Sequence, residues 1–556
     1  MTTADDVLDV LRGWQVPYVF CCPGTSETPL LDALADPANA GRGPEFLLTT
    51  HEAISVSMAD GFARASGEVG VAYLHTNVGL ANGLAHLYAA QLARSSVALL
   101  TGVKGTATLP HRALTTSSRI LDTAAPYSGY TWQNLRGEDL MTDIDRVLWK
   151  TTVVPEQPAV LTIPQNHIGR TRADSGGFRR RRAARQSAHA DELKDAVALL
   201  QKARRPVIIA GTDIARRGAE AEIERIAERL GAPVLVESRR DLERWAFRTD
   251  HPHYAGLFDP RSPLFAEADL LVLAGAPTPL EFSAERPILP HGVPLLHIAE
   301  DAGEPGRRQT PAASIVGDTG AVLRSIRQLL EQESAARRTQ GWLDRARGVF
   351  ATQRAAWAEQ VPVRATGAEF SAASAMRVLA EELPDDRPVV LDAVTSTLPL
   401  LRFIERPRRD TLFATASGSL GWGMGAALGV TLARQERTVA VVGDGVVQFG
   451  VPALWTASHY RIPATYVVVN NGRYQAVIAG LVGINGTAHA EGAYPLTDIG
   501  GVDIAALARS FGIGAERVHG SDELRAALAA DRVRSADDGP YLIEVMVNEA
   551  MWPEKS

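Results

Sequence analysis

Asp444 and Asn471 are the side chains in this sequence best suited to binding a metal ion. Each follows a run of apolar, β-branched residues, and a helical pattern separates the two runs. Two strands joined by a helix pair in parallel, so both side chains are predicted at the carboxyl edge of one sheet, where α/β proteins bind ligands. A carboxylate, an amide oxygen and a loop carbonyl, for which we choose Arg473, are hard oxygen ligands that suit Mg²⁺.

The glycines beside Asp444 indicate that a phosphate group approaches the same turn. Gly443 and Gly445 have no side chain, so the backbone N–H groups of this turn can contact phosphate oxygens closely. The Gly-Asp-Gly and Asn-Asn sequences are separated by 24 residues. We interpret the pair as a metal-diphosphate site, and two ordinary tight turns are the alternative.

Length and composition limit the class of protein. A chain of 556 residues is too long for one hydrophobic core and predicts about three domains. The formal net charge of −7 argues against a nucleic-acid-binding protein, which normally has a basic face. The first residues are acidic and no apolar run approaches the ~20 residues that span a bilayer, so we expect neither a signal peptide nor a membrane segment. Cys21 and Cys22 are adjacent, and we expect two free thiols in a reducing, cytoplasmic setting.

Apolar strand runs alternate with amphipathic helical patterns in three parts of the chain. This alternation predicts an α/β fold with three doubly wound domains and mainly parallel sheets. We expect an N-terminal domain over residues 1–170, a central domain over 190–335 and a C-terminal domain over 365–556, the first and third being similar in size and type. The central domain lacks a Gly-rich dinucleotide motif after its first strand, so we expect no flavin.

Several stretches resemble a known family. The Gly-Asp-Gly and Asn-Asn pattern, with its spacing, resembles the signature of the thiamine-diphosphate-dependent enzymes. The stretches CCPGTSETPLLDAL, YLHTNVGLANGLAHLYAA and GDGVVQFGVPALWTASHYRIPATYVVVNNGRYQAV are similar to the benzoylformate decarboxylase group of that family, and the resemblance covers essentially the whole chain. It implies a pyrimidine-binding first domain, a central domain and a diphosphate-binding third domain, with thiamine diphosphate and Mg²⁺ as cofactors.

The resemblance assigns catalytic roles to three residues of the first domain. Glu52 matches the glutamate that supports the imino tautomer of the cofactor's aminopyrimidine. Thr25 stands where the family has a serine that holds the substrate carboxylate, and His75 matches a histidine that transfers protons at the reacting carbon. A glutamate that merely favours the helix dipole and a histidine satisfied within the fold are the alternatives.

The third domain supplies the other residues that the resemblance assigns to the cofactor. Thr395 and Ser396 follow a strand where the diphosphate would bind, and Tyr474 follows the metal loop. The carbonyl of Gly418 would accept the 4′-amino hydrogen, and Leu420 would wedge between the two rings of the cofactor. Leu420 could equally be an ordinary core residue.

The residues expected to form the substrate pocket depart from the family. Leu114 matches an apolar wall residue, but its neighbour is Thr115 rather than a second leucine. The position of a second catalytic histidine falls on or near Phe282. Gln475 and Val477 stand where the resemblance implies bulky aromatics. We therefore expect a pocket that is roomier and more polar than one shaped around a phenyl ring.

The resemblance implies a non-oxidative decarboxylase or carboligase that acts on a 2-oxo acid through a C2 ylide and an enamine. Protonation of the enamine would give an aldehyde, and its addition to an acceptor aldehyde would give a 2-hydroxy ketone. In the family the cofactor bridges the first domain of one subunit and the third domain of another, so we expect at least a homodimer, with a homotetramer as the favoured assembly. The alternatives are a specialised acetolactate-synthase-like synthase or C–C lyase on the same scaffold, and a non-catalytic cofactor-binding subunit.

Overall fold

Three parallel sheets dominate the computed structural model, which describes residues 3–41, 43–111, 114–168, 178–237, 242–279, 288–290, 292–332, 341–406 and 408–548. Each sheet has six strands, and the strands within each sheet pair in parallel. The predicted fold class is confirmed. Among the helices of these residues, none combines the length and the apolar character needed to cross a membrane.

The first sheet and its helices lie between residues 3 and 168. The elements are α1 (Thr3–Gly13), β1 (Tyr18–Cys22), α2 (Thr28–Ala35), β2 (Glu45–Leu48), α3 (Glu52–Ser66), β3 (Gly70–His75), α4 (Thr76–Leu92), β4 (Val97–Val103), α5 (Ile120–Ala124), β5 (Tyr130–Gln133), α6 (Leu140–Thr151), β6 (Ala159–Pro164) and α7 (Gln165–Ile168).

The second sheet and its helices lie between residues 190 and 360. The elements are α8 (Ala190–Lys202), β7 (Pro206–Ala210), α9 (Thr212–Arg216), α10 (Glu220–Leu230), β8 (Val234–Val236), β9 (Tyr254–Leu257), α11 (Leu264–Glu267), β10 (Leu270–Ala274), β11 (Leu295–Ala299), β12 (Ala313–Val316), α12 (Thr319–Gln332) and α13 (Trp342–Gln360).

The third sheet and its helices lie between residues 372 and 546. The elements are α14 (Ala372–Glu382), β13 (Val389–Asp392), α15 (Thr397–Phe403), β14 (Leu412–Ala414), α16 (Trp422–Arg434), β15 (Thr438–Gly443), α17 (Asp444–Gly450), α18 (Pro452–His459), β16 (Ala464–Asn470), α19 (Gln475–Ile484), α20 (Thr487–Ala490), α21 (Ile504–Ser510), β17 (Gly514–Val518), α22 (Ser521–Arg532) and β18 (Tyr541–Met546).

The first and third sheets share one strand order. The orders are β2-β1-β3-β4-β6-β5 and β14-β13-β15-β16-β18-β17, so the two sheets have the same topology. The second sheet runs β12-β11-β10-β7-β8-β9, which is the order of a dinucleotide-binding α/β fold. The exact boundaries of the three domains stay a prediction.

The inner strands are buried on both faces. Every residue of β4 and of β16 is buried. Helices cover both faces of a parallel sheet, so its inner strands read as continuous apolar runs. Polar side chains that act on a ligand are therefore placed in the turns at the ends of these strands.

Helices α3 and α16 cross in direct backbone contact. A Cβ on Gly61 would lie 2.3 Å from the carbonyl oxygen of Ala426, and a Cβ on Gly429 would lie 2.1 Å from the carbonyl oxygen of Met58. Apolar side chains of the two helices also belong to one buried cluster. Because α3 follows a strand of the first sheet and α16 follows one of the third, this contact fixes the two sheets relative to each other.

A buried polar group reinforces the crossing. The guanidinium of Arg64 donates to both carboxylate oxygens of Asp60, at 2.9 and 2.7 Å, and lies 4.6 Å from the ring centroid of Trp422. The indole N–H of Trp422 donates to Asp60 at 2.7 Å. These hydrogen bonds satisfy a charge pair that would otherwise be costly to bury.

Replacing Gly61 by Ala is expected to destabilise the protein. The added methyl group would meet a backbone oxygen that cannot rotate away, and overpacking of this kind costs about 1–3 kcal/mol. The Tm of the cofactor-free protein in scanning calorimetry should fall. Gly348→Ala in α13 is the control, since a Cβ there meets nothing within 4 Å. An equal Tm for Gly61→Ala and the unaltered protein would contradict the direct contact of the two helices.

Candidate active site

Asp444 joins two strand ends of the third sheet. It is the first residue of α17, directly after β15, which pairs with β13 on one side and β16 on the other. Its Oδ1 accepts from the N–H of Gly445 at 2.8 Å, and its Oδ2 accepts from the N–H of Gly472 at 2.7 Å. Burial raises the pKa of this carboxyl, and the backbone donors oppose the shift. One carboxylate therefore holds the turns after β15 and β16 together.

The two adjacent asparagines have different surroundings. Asn470 is the buried last residue of β16, and its side-chain N–H₂ donates to Glu544 at 2.8 Å. Asn471 is half-buried in the loop, where its Oδ1 accepts from the N–H of Arg473 at 3.0 Å. The carbonyl of Arg473 accepts one N–H from the first residue of α19. Oxygen atoms each have two lone pairs, so Asn471 and Arg473 keep acceptor capacity beside Asp444.

Hydrogen-bond donors and open space lie at the same edge of the third sheet. The hydroxyl groups of Thr395 and Ser396, half-buried after β13, have no hydrogen-bond partner in the part of the chain that the structure describes. A Cβ on Gly443 would meet no atom within 4 Å, whereas the ring of Tyr474 lies 3.0 Å from the Cβ position of Gly445. Unused hydroxyl donors on the same edge as the open space at Gly443 form a donor set that fits a diphosphate.

Leu420 lies where α16 meets the first sheet's helices. Its half-buried side chain packs against the cluster shared by α3 and α16, and its carbonyl oxygen is 3.3 Å from Nε2 of His86. Nδ1 of His86 is 2.7 Å from the carbonyl oxygen of Ala53, near the start of α3. Burial lowers the pKa of His86, which favours the neutral ring. Gly418 is exposed, with a φ of +66° that favours glycine.

Glu52 occupies the carboxyl edge of the first sheet, as the first residue of α3 after β2. The side chain of His51 caps this helix by accepting from the N–H of Ala53 at 3.1 Å. Asn82 in α4 donates to Oε2 of Glu52 at 3.0 Å, and a Cβ on Gly79 would lie 3.1 Å from Oε1. The carboxylate is thus half-buried against α4 and oriented by one side-chain donor.

The thiol of Cys22 lies beside the carboxylate of Glu52. Cys22 ends β1, and the charge of Glu52 acts on its thiol. Burial raises the pKa of Cys22 to about 12, and the charge of Glu52 contributes to the shift. Both Cys21 and Cys22 are free thiols. A thiol with so high a pKa stays protonated at neutral pH.

Glu27 is a site residue that sequence reasoning missed. Its Oε2 lies 2.8 Å from Nδ1 of His75 and also accepts from the N–H of Gly24 at 2.8 Å. Burial raises the pKa of Glu27, although its hydrogen bonds oppose the shift. Its Oε1 lies only 1.8 Å from the Cβ position of Gly102, so a side chain at 102 would displace it. The available signal was an acidic residue two positions after Thr25 in the Pro-Gly turn.

The Glu27 contact decides which nitrogen of His75 is available. A neutral imidazole that donates Nδ1–H to the carboxylate leaves Nε2 to accept or release a proton. His75 is half-buried at the end of β3, next to β1 and β4. Thr25 follows β1, and its side-chain oxygen accepts from Nζ of Lys104 at 2.9 Å.

The residues predicted to line the pocket are divided between the two edges. Leu114 is 82% exposed, and Thr115 has a φ of +65° while its carbonyl accepts an N–H from the start of α4. Gln475 is buried and Val477 is exposed, both in α19. Phe282 lies outside the described residues. A single pocket made of these residues stays a prediction.

The predicted site residues therefore form two separate groups, one at the edge of the first sheet and one at the edge of the third. The first-sheet edge has Thr25, Glu52 and His75, and the third-sheet edge has Thr395, Ser396, Gly443, Asp444, Gly445, Asn471, Arg473 and Tyr474. Over the described parts of the chain, no hydrogen bond or ion pair joins the first set to the second. The first-sheet edge alone has the predicted catalytic residues, and the third-sheet edge alone has these predicted cofactor- and metal-binding residues.

Family models match all three regions of the chain. The N-terminal thiamine pyrophosphate binding domain of thiamine pyrophosphate enzymes matches residues 1–122, the central domain matches 193–326, and the C-terminal thiamine pyrophosphate binding domain matches 392–545. The three models follow the order of the three sheets. The chain belongs to the thiamine pyrophosphate enzyme family.

Relatives within this family match this chain over most of their own length. The chain is 28% identical over 552 residues to the benzoylformate decarboxylase of Pseudomonas aeruginosa, with 97% of each chain covered. It is 24% identical over 547 residues to the acetolactate synthase large subunit of Parasynechococcus marenigrum, covering 94% of this chain and 84% of that one. The fold is similar to the crystal structure of benzoylformate decarboxylase from Polynucleobacter necessarius, with a TM-score of 0.84, 24% identity and 99% of both chains covered.

The third-sheet edge of this family member has groups that fit the diphosphate and a divalent cation. Thr395 and Ser396 supply unused hydroxyls, and Asp444, Asn471 and the carbonyl of Arg473 supply oxygen ligands. The described residues contain no cluster of three or more His, Cys, Asp or Glu side chains that could hold a metal. A site with one carboxylate leaves coordination positions for phosphate oxygens and water, as Mg²⁺ prefers.

In the central domain, carboxylate side chains accept from the helix N-terminal N–H groups that would otherwise be open to a ligand. Glu237 accepts from the N–H of Thr212 at the start of α9, at 2.9 Å, and Glu300 accepts from the N–H of Thr319 at the start of α12, at 3.1 Å. In a dinucleotide-binding fold, phosphate oxygens take such helix N–H groups. Here the chain's own side chains occupy these donors.

Replacing Glu52 by Gln is expected to make Cys22 more reactive. Loss of the carboxylate removes one cause of the raised pKa, although burial, the larger cause, remains. The thiolate fraction at pH 9 should rise, because each unit of pKa changes that fraction about tenfold. The measurement is the rate of alkylation of Cys22 against pH in a Cys21→Ser background.

Glu45→Gln is the matched control for this labelling experiment. Glu45 is exposed at the start of β2, the strand that leads to Glu52. Its replacement should leave the alkylation profile of Cys22 unchanged. Identical profiles for Glu52→Gln and the unaltered protein would show that the thiol and the carboxylate are not in contact.

Proposed function

We propose that the protein is a thiamine-diphosphate- and Mg²⁺-dependent enzyme that removes CO₂ from a 2-oxo acid without oxidation. The observation that carries this proposal is the pair of His75 and buried Glu27 beside Thr25, on the sheet edge that also has Glu52. A proton-transfer group, a hydroxyl donor and a carboxylate at one edge are what such a reaction requires. The relative of this chain named benzoylformate decarboxylase supports the assignment.

The cofactor would be held by the third-sheet edge. Asp444, Asn471 and the carbonyl of Arg473 would bind Mg²⁺, and Thr395 and Ser396 would donate to the diphosphate. Bound thiamine diphosphate supplies a nucleophilic carbon and an electron sink for decarboxylation. Asp444 enters the site with both oxygens already fixed by backbone N–H groups, so its geometry is set before the metal binds.

The residues of the first-sheet edge would orient the reactants and move protons. The carboxylate of Glu52, held by Asn82, would accept a hydrogen bond from a protonated ring nitrogen of the cofactor's pyrimidine. The hydroxyl of Thr25 accepts from Lys104, so its own hydrogen is free to donate to a substrate oxygen. Nε2 of His75 would deliver the proton that replaces the lost carboxylate, while Glu27 keeps the ring oriented.

A second candidate function is the synthesis or cleavage of a C–C bond on the same scaffold. It is supported by the relative named acetolactate synthase, and by the small residues Ala476, Ala479 and Gly480, which are exposed in α19 and leave room for an acceptor. A non-catalytic role is disfavoured, because the predicted catalytic and metal-binding side chains are all present. The ratio of aldehyde to 2-hydroxy ketone among the products distinguishes the first two functions.

We further propose that two copies of the chain complete each site. Each edge has only half of the groups, and exposed apolar side chains lie on segments following both edges, namely Leu114, Val477, Ile484 and Leu496. Exposed apolar groups of this kind mark surfaces that a partner covers.

The two free thiols also support a cytoplasmic, reducing setting.

Replacing Asp444 by Ala is expected to abolish cofactor binding. Even groups that only support a metal ligand change affinity about 10- to 100-fold, so loss of the ligand itself should cost more. Titration calorimetry of thiamine diphosphate, with and without Mg²⁺, measures the effect. Asp195→Ala, an exposed change in α8, is the control and should bind as the unaltered protein does.

Turnover is measured in parallel as CO₂ release from a panel of 2-oxo acids, with and without added aldehydes. Glu52→Gln should retain cofactor binding and lose about 10²- to 10⁴-fold in turnover, the usual contribution of positioned acid–base groups. Full turnover by Glu52→Gln would refute the role of this carboxylate. Tight, Mg²⁺-dependent binding by Asp444→Ala would refute the metal site.

A further inference from the structure

Lys104 places a positive charge at the first-sheet edge. It follows β4 directly, is half-buried, and its backbone N–H donates to the hydroxyl of Thr116 at 3.3 Å. Its Nζ donates to the side-chain oxygen of Thr25 at 2.9 Å. An ammonium group has three N–H donors, so two remain for other acceptors.

This ammonium has no counter-ion among the residues that the structure describes. No Asp or Glu of those residues lies within ion-pair distance of Nζ. Glu27, an acidic group on the same edge, is already paired with His75 and accepts from the N–H of Gly24. Gln165 donates to the carbonyl of Thr25 and adds no charge. The charge of Lys104 is therefore available to an anion that enters the site.

The carboxylate that leaves as CO₂ is a poor partner for this charge. Its negative charge moves away as the C–C bond breaks, so an ammonium paired with it would stabilise the reactant more than the transition state. The neutral hydroxyl of Thr25 can orient that carboxylate with a smaller penalty. A permanent cation is better matched to an anionic group that the substrate keeps throughout the reaction.

We infer that the substrate is a 2-oxo dicarboxylate, whose distal carboxylate pairs with Lys104. The inference rests on the proposed function and specifies its substrate class. The flexible four-carbon stem lets the ammonium reach a group beyond Thr25, and a point charge with free donors suits a single carboxylate. The absence of bulky aromatics at Gln475 and Val477 agrees with a polar, extended substrate.

The test compares substrates of equal length with and without the second charge. The holoenzyme, with thiamine diphosphate and Mg²⁺, is assayed for CO₂ release from 2-oxoglutarate against 2-oxopentanoate, and from 2-oxoadipate against 2-oxohexanoate. At least one diacid should be preferred in kcat/KM. Lys104→Met should lower kcat/KM for that diacid about 10- to 100-fold more than for the monoacid, the usual range for a hydrogen bond to a charged group. A loss shared by both substrates would report the contact of Lys104 with Thr25.

A binding measurement keeps this inference separate from the proposed reaction. Titration calorimetry with the unreactive diacids glutarate and adipate, against pentanoate and hexanoate, needs no turnover. The holoenzyme should bind a diacid more tightly than the monoacid, and Lys104→Met should remove the difference. If no 2-oxo acid is decarboxylated but this difference is found, the proposed function fails and the anion site stands.

Two control variants sharpen the interpretation. Lys104→Arg keeps the charge and should keep part of the preference for the diacid. Lys202→Met removes an exposed lysine at the end of α8 and should change nothing. A preference for monoacids in the unaltered protein would overturn the inference. So would an equal loss for diacid and monoacid in Lys104→Met, because Lys104 would then act only through Thr25 or on the carboxylate common to both.

Discussion

The direct contact of α3 with α16 is the constraint on which the rest of the structure depends. Gly61 and Gly429 let the two backbones touch, and no side chain separates them. Helix α3 starts at Glu52, and α16 starts two residues after Leu420. Each helix therefore begins at or just after a site residue, and a shift of either helix would move the two half-sites of one chain relative to each other.

The two edges achieve their geometry by different physical means. At the third-sheet edge, backbone N–H groups hold the buried carboxylate of Asp444, so the orientation of this metal ligand is fixed before a cation binds. At the first-sheet edge, side chains hold one another, as Glu27 holds His75 and Asn82 holds Glu52. Backbone-held groups suit binding, whereas side-chain pairs suit the transfer of protons.

The sequence predicted the inner strands and the metal loop because both have strong local signals. Inner strands are buried on both faces and appear as continuous apolar runs, and the two turns after β15 and β16 have fixed residue types. The strands β5, β12 and β17 have weaker signals. All three lie at sheet edges, where one neighbour is absent, and their runs contain exposed or half-buried residues.

The missed site residues share a different cause. Glu27, Lys104 and His86 matter through partners that are distant along the chain, namely His75, Thr25 and Leu420. A single sequence has no pattern that pairs a glutamate with a histidine 48 positions away. The spatial order of the strands, β1 beside β3 and β3 beside β4, brings Glu27 to His75 and Lys104 to Thr25.

The central claim is that one functional site needs the first-sheet edge of one copy and the third-sheet edge of another. Co-production of a Glu52→Gln chain with an Asp444→Ala chain, each with its own affinity tag, allows the mixed assembly to be isolated. Each variant alone should be nearly inactive. In a mixed dimer one site has both substitutions and the other has neither, so about half of the unaltered turnover should return. A mixed assembly as inactive as its parents would contradict the account.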